Sequence, residues 1–297
     1  MEKIQSFILV CITISIFSLF HANAAERISY FQTDGRYQYR TELLRLAQSY
    51  PHASLPSSIE LVPLPHIPHA RGQRLIETNA IRGVMSLATN QQTERNFLPI
   101  RQPIMAGILG MRVLLIRGSQ QQQFTQVNSI EQLRQLRLGF VTHWGDIEIL
   151  RHNQMTVIPV SRYKTMFSML SAGRFDFFPR GINEIIPELE RFGGIYSQLT
   201  IEKQIALLYP YPVYFFVNKH DTKLANRIEH GLQQALDDGS FKRLFLKYHS
   251  DILKQLDFDK RRVYTLENHT LPPNTPVPDM SWWLDDTHFD KHNISKE

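Results

Sequence analysis

Residues 163–190 constrain the fold of this chain more strongly than any other part of its sequence. Apolar residues recur at helical spacing in the first half of this segment and stop at Gly173, which predicts a helix that ends at this glycine. A short phenylalanine-rich strand is expected next, broken at its carboxyl end by Pro179-Arg180-Gly181. Because α/β proteins bind ligands at the carboxyl ends of strands, Arg180 and Glu184 are expected to lie where a ligand is recognised.

The N-terminus has the features of a secretory signal peptide over residues 1–24. A lysine near the start precedes an apolar run over residues 4–20, and Ala22 and Ala24 suit a cleavage site before Ala25. The alternative is an uncleaved membrane anchor, but the apolar run is short for a membrane span. The pattern therefore predicts export to the periplasm.

Composition excludes several classes of function. The single cysteine, Cys11, lies in the apolar run, so the mature chain is expected to have neither disulfides nor thiol chemistry. The formal net charge is +5, but the arginines are spread singly and form no basic stripe with interleaved aromatic residues. Nucleic-acid binding is therefore not predicted, and a mildly positive cleft that attracts anions is favoured.

No metal or cofactor site is predicted. His66 and His69 are three residues apart, but prolines place them in a loop, and no cluster of cysteines or carboxylates completes a zinc site. The sequence also lacks the nucleophile elbow, the phosphate-binding loop and the dinucleotide-binding glycine motif. These observations favour a protein that is not an enzyme.

Predicted strands and helices alternate along most of the chain. The predicted strands are residues 28–32, 59–64, 81–87, 111–117, 138–141, 156–160, 175–178 and a β segment over 205–217. The predicted helices are residues 37–50, 70–78, 129–136, 146–152, 163–173, 183–192, 222–236 and 241–253, and residues 120–123 are predicted to form a polar loop. This alternation is typical of an α/β fold with parallel sheets.

The end of the chain, residues 268–297, is rich in proline and has no periodicity. Such a tail is expected to wrap over the surface or to be partly disordered. Trp282 and Trp283 are expected to pack back onto the body of the protein.

Four segments, in their order and spacing, resemble the type II periplasmic solute-binding proteins of the polar amino-acid branch. They are FQTDGRYQYRTELLRLA, MSLATNQQTERNFLPIRQPI, SIEQLRQLRLGFVTHWGDIEIL and SAGRFDFFPRGINEI. The resemblance covers roughly residues 27–265. It implies an α/β fold of two lobes, each a mostly parallel sheet flanked by helices, joined by a hinge. Residues 25–112 and 213–267 would form the first lobe and residues 113–212 the second.

The resemblance also implies a function. Such proteins capture a small polar ligand, here amino-acid-like or an organic anion, between the lobes for an ABC-type transporter. The chain is then expected to be a periplasmic monomer with an inner-membrane permease as its partner. One alternative is a receptor that docks on a membrane signalling protein. Another is a periplasmic dehydratase of the same fold.

Site residues can be carried over from the family at matching positions. Thr93-Glu94-Arg95 is similar to the segment whose arginine binds the ligand carboxylate, which implies that role for Arg95; the alternative is a pair with a surface acid. Trp144 and His143 lie in the turn after a strand, where the family contacts its ligand. Trp144 would cover an apolar part of the ligand or pack between the lobes, whereas a solvated side chain is the default for His143.

The position of the aspartate that binds the ligand ammonium in this family falls on Gly181. Glu184, one helical turn further on, is a candidate substitute, and Arg180 would favour an anionic ligand. The alternative for Arg180 and Glu184 is a simple ion pair one helical turn apart. Asp34 and Tyr37 follow the first predicted strand and are expected to face the cleft.

Overall fold

The computed structural model describes residues 26–51, 59–276 and 278–284. The expected signal peptide and the last part of the tail, residues 285–297, lie outside the described residues. Within the described ranges, none of the helices combines the length and the apolar character that crossing a membrane requires.

The described ranges contain eleven strands and ten α-helices. The strands are β1 (Glu26–Tyr30), β2 (Ile59–Pro63), β3 (Val84–Ala88), β4 (Phe97–Ile100), β5 (Met111–Arg117), β6 (Arg137–Val141), β7 (Thr156–Val160), β8 (Phe177–Gly181), β9 (Leu199–Leu208), β10 (Val213–Asn218) and β11 (Arg262–Thr265). The helices are α1 (Gln38–Ser49), α2 (His69–Glu77), α3 (Gln91–Asn96), α4 (Gln121–Thr125), α5 (Ile130–Arg134), α6 (Asp146–His152), α7 (Tyr163–Ser171), α8 (Ile185–Gly193), α9 (Thr222–Asp237) and α10 (Ser240–Leu256).

The first lobe contains two small sheets. Strands β1 and β2 pair in parallel, whereas β10 pairs antiparallel with β3 on one side and with β4 on the other. Helices α1, α9 and α10 pack against one another beside these sheets. The contact between α1 and α9 depends on Gly231, because a Cβ atom there would lie 1.8 Å from the carbonyl oxygen of Ala47.

The second lobe is built on one six-stranded sheet with the order β11-β9-β5-β8-β6-β7. Strands β6, β7 and β8 are parallel, so their carboxyl ends lie at the same edge of the sheet. Helices α6 and α8 begin just after β6 and β8, at that edge. The carboxyl ends of β6 and β8, where a ligand was expected, therefore lie beside the N-termini of α6 and α8.

The α/β fold class is confirmed, with mixed sheets in place of mostly parallel ones. Strand β5 runs antiparallel to both β8 and β9, and β10 runs antiparallel to both of its neighbours. Both strands directly adjoin the segments that connect the lobes. A strand that enters a lobe through such a connection does not follow the right-handed helical crossover that makes neighbouring strands parallel.

Two of the segments that carry the chain between the lobes, residues 101–110 and 209–212, lie side by side. The Tyr209 amide donates a hydrogen bond to the carbonyl oxygen of Gly110 at 3.2 Å, and the Ile104 amide donates to the carbonyl oxygen of Val213 at 2.9 Å. A Cβ atom on Gly110 would lie 2.0 Å from the Tyr209 carbonyl oxygen. Only glycine permits this close approach of the two connections.

The helix expected over residues 163–173 is confirmed as α7, and Gly173 follows it with a left-handed φ of 70°. The strand after it is shifted from its expected position. It begins at Phe177 and continues through Pro179-Arg180-Gly181, so these three residues do not break it. All five residues of β8 pair with β5, whereas only Phe177 pairs with β6. The proline is tolerated because one side of the strand is unpaired there.

Two other expectations were wrong. Residues 120–123 are helical, because the fully buried Phe124 anchors α4 to the second lobe. The β segment expected over residues 205–217 is two strands, β9 and β10, which belong to different sheets. Strands β4 and β11 were not predicted, since both are only four residues long.

The described part of the tail packs onto the body of the protein, as expected for the two tryptophans. Asn268 donates its side-chain amide to the carbonyl oxygen of Pro210 at 2.8 Å. The Trp283 indole donates to the carbonyl oxygen of Ala106 at 2.8 Å, and Trp282 packs edge-on against aromatic rings of α10. The tail thus contacts both connecting segments and the first lobe.

Candidate functional site

A cavity of about 230 Å³ lies between the two lobes, at the carboxyl ends of β6 and β8. The first lobe contributes Arg36, Tyr37 and Arg40 to its lining. The second lobe contributes Arg112, Trp144, Asp146, Arg180 and Glu184. Four arginines and two carboxylates therefore line this space, which we name the cationic cavity.

Arg112 and Asp146 form a buried ion pair on the second-lobe side of the cationic cavity. Only 8% of Arg112 and 7% of Asp146 are exposed, and Arg112 Nη2 donates to Asp146 Oδ2 at 2.5 Å. The Tyr209 hydroxyl donates to the same oxygen and accepts a bond from Arg112 Nε, both at 2.6 Å. Burial alone would lower the pKa of Arg112, but Tyr209 and Asp146 raise it overall. The guanidinium is therefore a fixed cation.

Asp146 does not cap its helix, although its position in the sequence predicts that role. It is the first residue of α6, Gly145 occupies the cap position, and no side-chain capping bond forms there. The Asp146 carboxylate turns instead toward Arg112 on β5. Tertiary pairing with a buried cation has displaced the local capping interaction.

Arg180 is held by carboxylates of its own lobe. It is 4% exposed, and its Nε and Nη2 donate to the two carboxylate oxygens of Glu188 at 2.6 and 2.5 Å. Glu184 Oε2 lies 3.0 Å from Nη2, so the expected pair one helical turn apart is present. Burial lowers the pKa of Arg180, but the bond to Glu188 and the charge of Glu184 raise it overall. The guanidinium also lies 4.7 Å from the ring centre of Trp144.

The first-lobe side of the cavity comes from the turn after β1 and the start of α1. Arg36 pairs with Asp34 at 3.0 Å, and this hydrogen bond lowers the pKa of Asp34. Two guanidiniums lie near the ring of Tyr37, with Arg40 5.0 Å and Arg36 5.9 Å from its centre. Two cations and one aromatic ring of the first lobe therefore lie close together in the cavity lining.

Arg40 differs from the other three arginines because no carboxylate in the described part of the chain forms a salt bridge with it. Its Nη1 donates to the Ser86 hydroxyl at 3.2 Å, and its buried Nε has no hydrogen-bond partner among the described residues. Burial lowers the pKa of Arg40, as expected for a cation removed from water without a counter-ion. The cationic cavity thus contains one partly buried positive charge with which no carboxylate in the described part of the chain forms a salt bridge.

The structure brings together four of the residues selected from the sequence. Tyr37, Trp144, Arg180 and Glu184 all line the cationic cavity. Trp144 packs within its own lobe, with 5.3 Å between its ring centre and that of Phe140, and it also lines the cavity.

The other three lie apart from the lining. Asp34 contacts the cavity only through its pair with Arg36. His143 is exposed on the turn before α6, and Arg95 is exposed in the last turn of α3. The neighbouring Glu94 pairs with Arg101.

Sequence reasoning missed Arg36, Arg40, Arg112 and Asp146 as lining residues. A signal was present for the first two, because GRYQYR places two arginines four positions apart after a predicted strand. No local signal identifies Arg112, which lies near the start of a strand whose next four residues are apolar.

No protein-family model matches the chain, and no curated protein matches it in sequence. Solved structures do match. YckB from Bacillus subtilis aligns with a TM-score of 0.52 and 13% identity over 82% of this chain and 97% of that chain. A probable amino-acid ABC transporter extracellular-binding protein, YtmK from Bacillus subtilis, aligns with a TM-score of 0.51 and 17% identity over 75% and 97%.

A third structure is a candidate ABC-transporter binding component from Wolinella succinogenes, solved with lysine. It aligns with a TM-score of 0.50 and 14% identity over 75% of this chain and 95% of that chain. At these identities the likeness concerns the fold, and it agrees with the resemblance seen in the sequence. The chain has the two-lobed α/β fold of the type II periplasmic solute-binding proteins.

Proposed function

We propose that this chain is an extracytoplasmic solute-binding protein that captures a small carboxylate-bearing ligand in the cationic cavity. The uncompensated charge of Arg40 is the observation that carries this proposal. A buried cation without a counter-ion is unfavourable in the empty protein, and an incoming carboxylate removes that penalty. The planar guanidinium also matches a carboxylate through two parallel hydrogen bonds.

The two lobes give the ligand a means of changing the conformation of the protein. Arg40 belongs to the first lobe, whereas Arg112, Arg180 and Glu184 belong to the second. A ligand that contacts both groups would favour the closed arrangement over the open one, because it binds the closed form better. For the lobes we retain residues 25–112 and 213–267 for the first and 113–212 for the second, with two exceptions. Strand β5, which begins at Met111 and includes Arg112, and strand β11 both pair with strands of the second lobe.

Closure of this kind suits delivery to an inner-membrane permease or to a membrane sensor, and we propose the permease as partner. A periplasmic location and a monomeric state accompany this function. We favour binding over catalysis because each carboxylate that lines the cavity is engaged by an arginine, Asp146 by Arg112 and Glu184 by Arg180.

The proposal is tested by titrating the mature protein with amino acids and small dicarboxylates in a calorimeter. Arg40→Met is expected to weaken binding at least tenfold, because the carboxylate loses its cation. Arg45→Met is the matched control, since Arg45 lies on the same helix, is exposed and does not line the cavity. Equal affinities of the Arg40→Met variant and the wild-type protein would contradict the proposal.

The variant Glu184→Gln distinguishes an amino-acid ligand from an organic anion. The contacts of Glu184 with Arg180 and with the Gly181 amide both use Oε2. If the ligand is an amino acid, Glu184 is the acid in the lining that is available for its ammonium, and the substitution should weaken binding. If the ligand is an organic anion, removal of this negative charge should leave affinity unchanged or increase it.

A further inference from the structure

A second and larger cavity, of about 490 Å³, adjoins the cationic cavity. The first lobe contributes Thr89, Asn90, Gln91 and Gln92 to its lining, and the second lobe contributes Gly145 and Glu148. His269 and Thr270 of the C-terminal tail complete it. We name it the amide-lined cavity, after the side chains of the first lobe.

The two cavities meet at Tyr211, which lines both of them. Gly145 lines one cavity and the next residue, Asp146, lines the other. A Cβ atom on Gly145 would lie 3.9 Å from the Tyr211 hydroxyl. One aromatic side chain on a connecting segment therefore separates two neighbouring spaces between the same two lobes.

The two spaces differ in chemistry. Four arginines line the cationic cavity, whereas neither arginine nor lysine is among the residues that line the amide-lined cavity. Its one carboxylate, Glu148, is paired with Arg151 at 3.1 Å. The amide group of Gln91 makes no hydrogen bond within the described residues, and the Asn90 carbonyl caps α3, which leaves its amide nitrogen available. The lining therefore suits an uncharged group that both donates and accepts hydrogen bonds.

The tail wall of the amide-lined cavity is anchored. The Glu267 amide donates to Asn153 Oδ1 at 2.9 Å, and Asn153 Nδ2 donates to the Glu267 carbonyl oxygen at 2.7 Å. His269 stacks on His152 with 4.2 Å between ring centres. These contacts fix the tail to the second lobe at the position where it closes the cavity.

We propose that the two cavities form one bipartite site, for a carboxylate-bearing ligand with an uncharged amide- or hydroxyl-bearing extension. This inference rests on the proposed function, because the carboxylate end occupies the cationic cavity. Pockets for small molecules usually measure ~300–1,000 Å³. The cationic cavity alone lies below that range and the amide-lined cavity lies within it, so the extension supplies the larger part of the ligand. The C-terminal tail becomes a part of the binding site.

Calorimetric titration of the mature protein with two pairs of probes tests the inference. L-Asparagine is compared with N4-(N-acetylglucosaminyl)-L-asparagine, and L-glutamine with γ-L-glutamylglycinamide. Each extended probe retains the amino-acid end of its parent and adds an uncharged sugar or peptide-like group. At least one extended probe is expected to bind ten times more tightly than its parent, and the pair that shows the gain identifies the source of the extension.

The variant Gly145→Leu then tests whether the extension of the ligand occupies the amide-lined cavity. Gly145 has φ −58° and ψ −29°, which a leucine adopts without strain, and its side chain would enter the amide-lined cavity. The affinity ratio of extended probe to parent should fall to about one in this variant. Gly194→Leu is the control, because Gly194 has φ −64° and ψ −29° and nothing lies within 4 Å of its Cβ position.

Equal binding of parent and extended probes to the wild-type protein would overturn the bipartite site while leaving the proposed function intact. A tenfold gain that survives Gly145→Leu would also overturn it, because the extension would then lie elsewhere. Absence of binding by all four probes, together with failure of the dicarboxylates, would overturn both the inference and the proposed function.

Discussion

Neutralising Asp146 should destabilise the protein far more than neutralising a surface carboxylate. In Asp146→Asn, Arg112 keeps its burial but loses the carboxylate at 2.5 Å. The nearest remaining acid in an ion pair with it is Glu184, at 3.7 Å, whose side chain is 43% exposed. Leaving a buried charge without its partner costs about 3–5 kcal/mol. Asparagine can still accept hydrogen bonds from Arg112 and Tyr209, so we expect a loss at the lower end, about 3 kcal/mol.

Urea unfolding followed by tryptophan fluorescence measures this loss. For a protein of this size, about 3 kcal/mol corresponds to a fall in melting temperature of roughly 6–12 °C. Glu60→Gln is the matched control, because Glu60 pairs with Arg27 at 3.1 Å while both side chains are more than half exposed. That pair should contribute less than about 1 kcal/mol.

The double variant Arg112→Met/Asp146→Asn distinguishes the effect of an unpaired buried charge from the effect of altered packing. With both charges removed, no unpaired cation remains buried, so the double variant should be more stable than Asp146→Asn alone. If Asp146→Asn lowered stability no more than Glu60→Gln, the two charges would be screened by solvent, and the account of a preformed, fixed cation would be refuted.

Three further changes have defined expectations. Burial, with the charge of Arg40, lowers the pKa of His249 to about 4 from its ordinary 6.5, so the folded state favours the neutral ring. This preference contributes on the order of 3 kcal/mol to the free energy of unfolding, which is fully present above pH 6.5 and is lost as the pH falls toward 4. His249→Phe should therefore make the free energy of unfolding in urea less dependent on pH between 6.5 and 4. Gly231→Ala should lower stability by about 2 kcal/mol in urea unfolding, because its methyl group overlaps the α1 backbone. Trp283→Phe removes the indole bond to Ala106 and should speed limited proteolysis of the tail.

Each of these has its own control. Subtracting the pH profile of the His249 variant from that of the wild-type protein removes the contribution of carboxylates that also titrate in acid. If the two profiles run parallel, the lowered pKa of His249 is contradicted. Gly194→Ala should be nearly neutral, since nothing lies near its Cβ position. Unchanged proteolysis of the Trp283 variant would mean that other contacts hold the tail.

Local sequence patterns predicted the fold class and several elements of the second lobe without help from the tertiary structure. Strands β5 and β7 and helix α6 occupy the residues expected for them. Ser129 caps α5 by accepting a bond from the Gln132 amide, as its position before the helix indicates. These features depend on residues within one or two turns of each other, so the pattern contains the information that fixes them.

Local pattern also predicted that Arg180 and Glu184 lie at the edge of the sheet, where they line the cationic cavity, because the carboxyl end of a strand is at such an edge wherever that strand lies. The antiparallel direction of β5 and β10 could not be predicted from local pattern, because each strand pairs with segments that are distant in the sequence. The same limit applies to the tail, whose contact with Pro210 spans 58 positions along the chain.

The sequence by itself determined the alternation of strands and helices, the two-lobed α/β class and four of the residues that line the cationic cavity. Only the tertiary structure decided that Arg40 and Arg112 line the same space, that Asp146 pairs with Arg112, and that Arg40 forms no salt bridge with a carboxylate of the described residues. Charge compensation depends on which groups meet after folding, and Arg112 meets Asp146 across 34 positions of sequence. Periodicity records which residues face the core, whereas the identity of a buried cation's neighbour is set by how the elements pack.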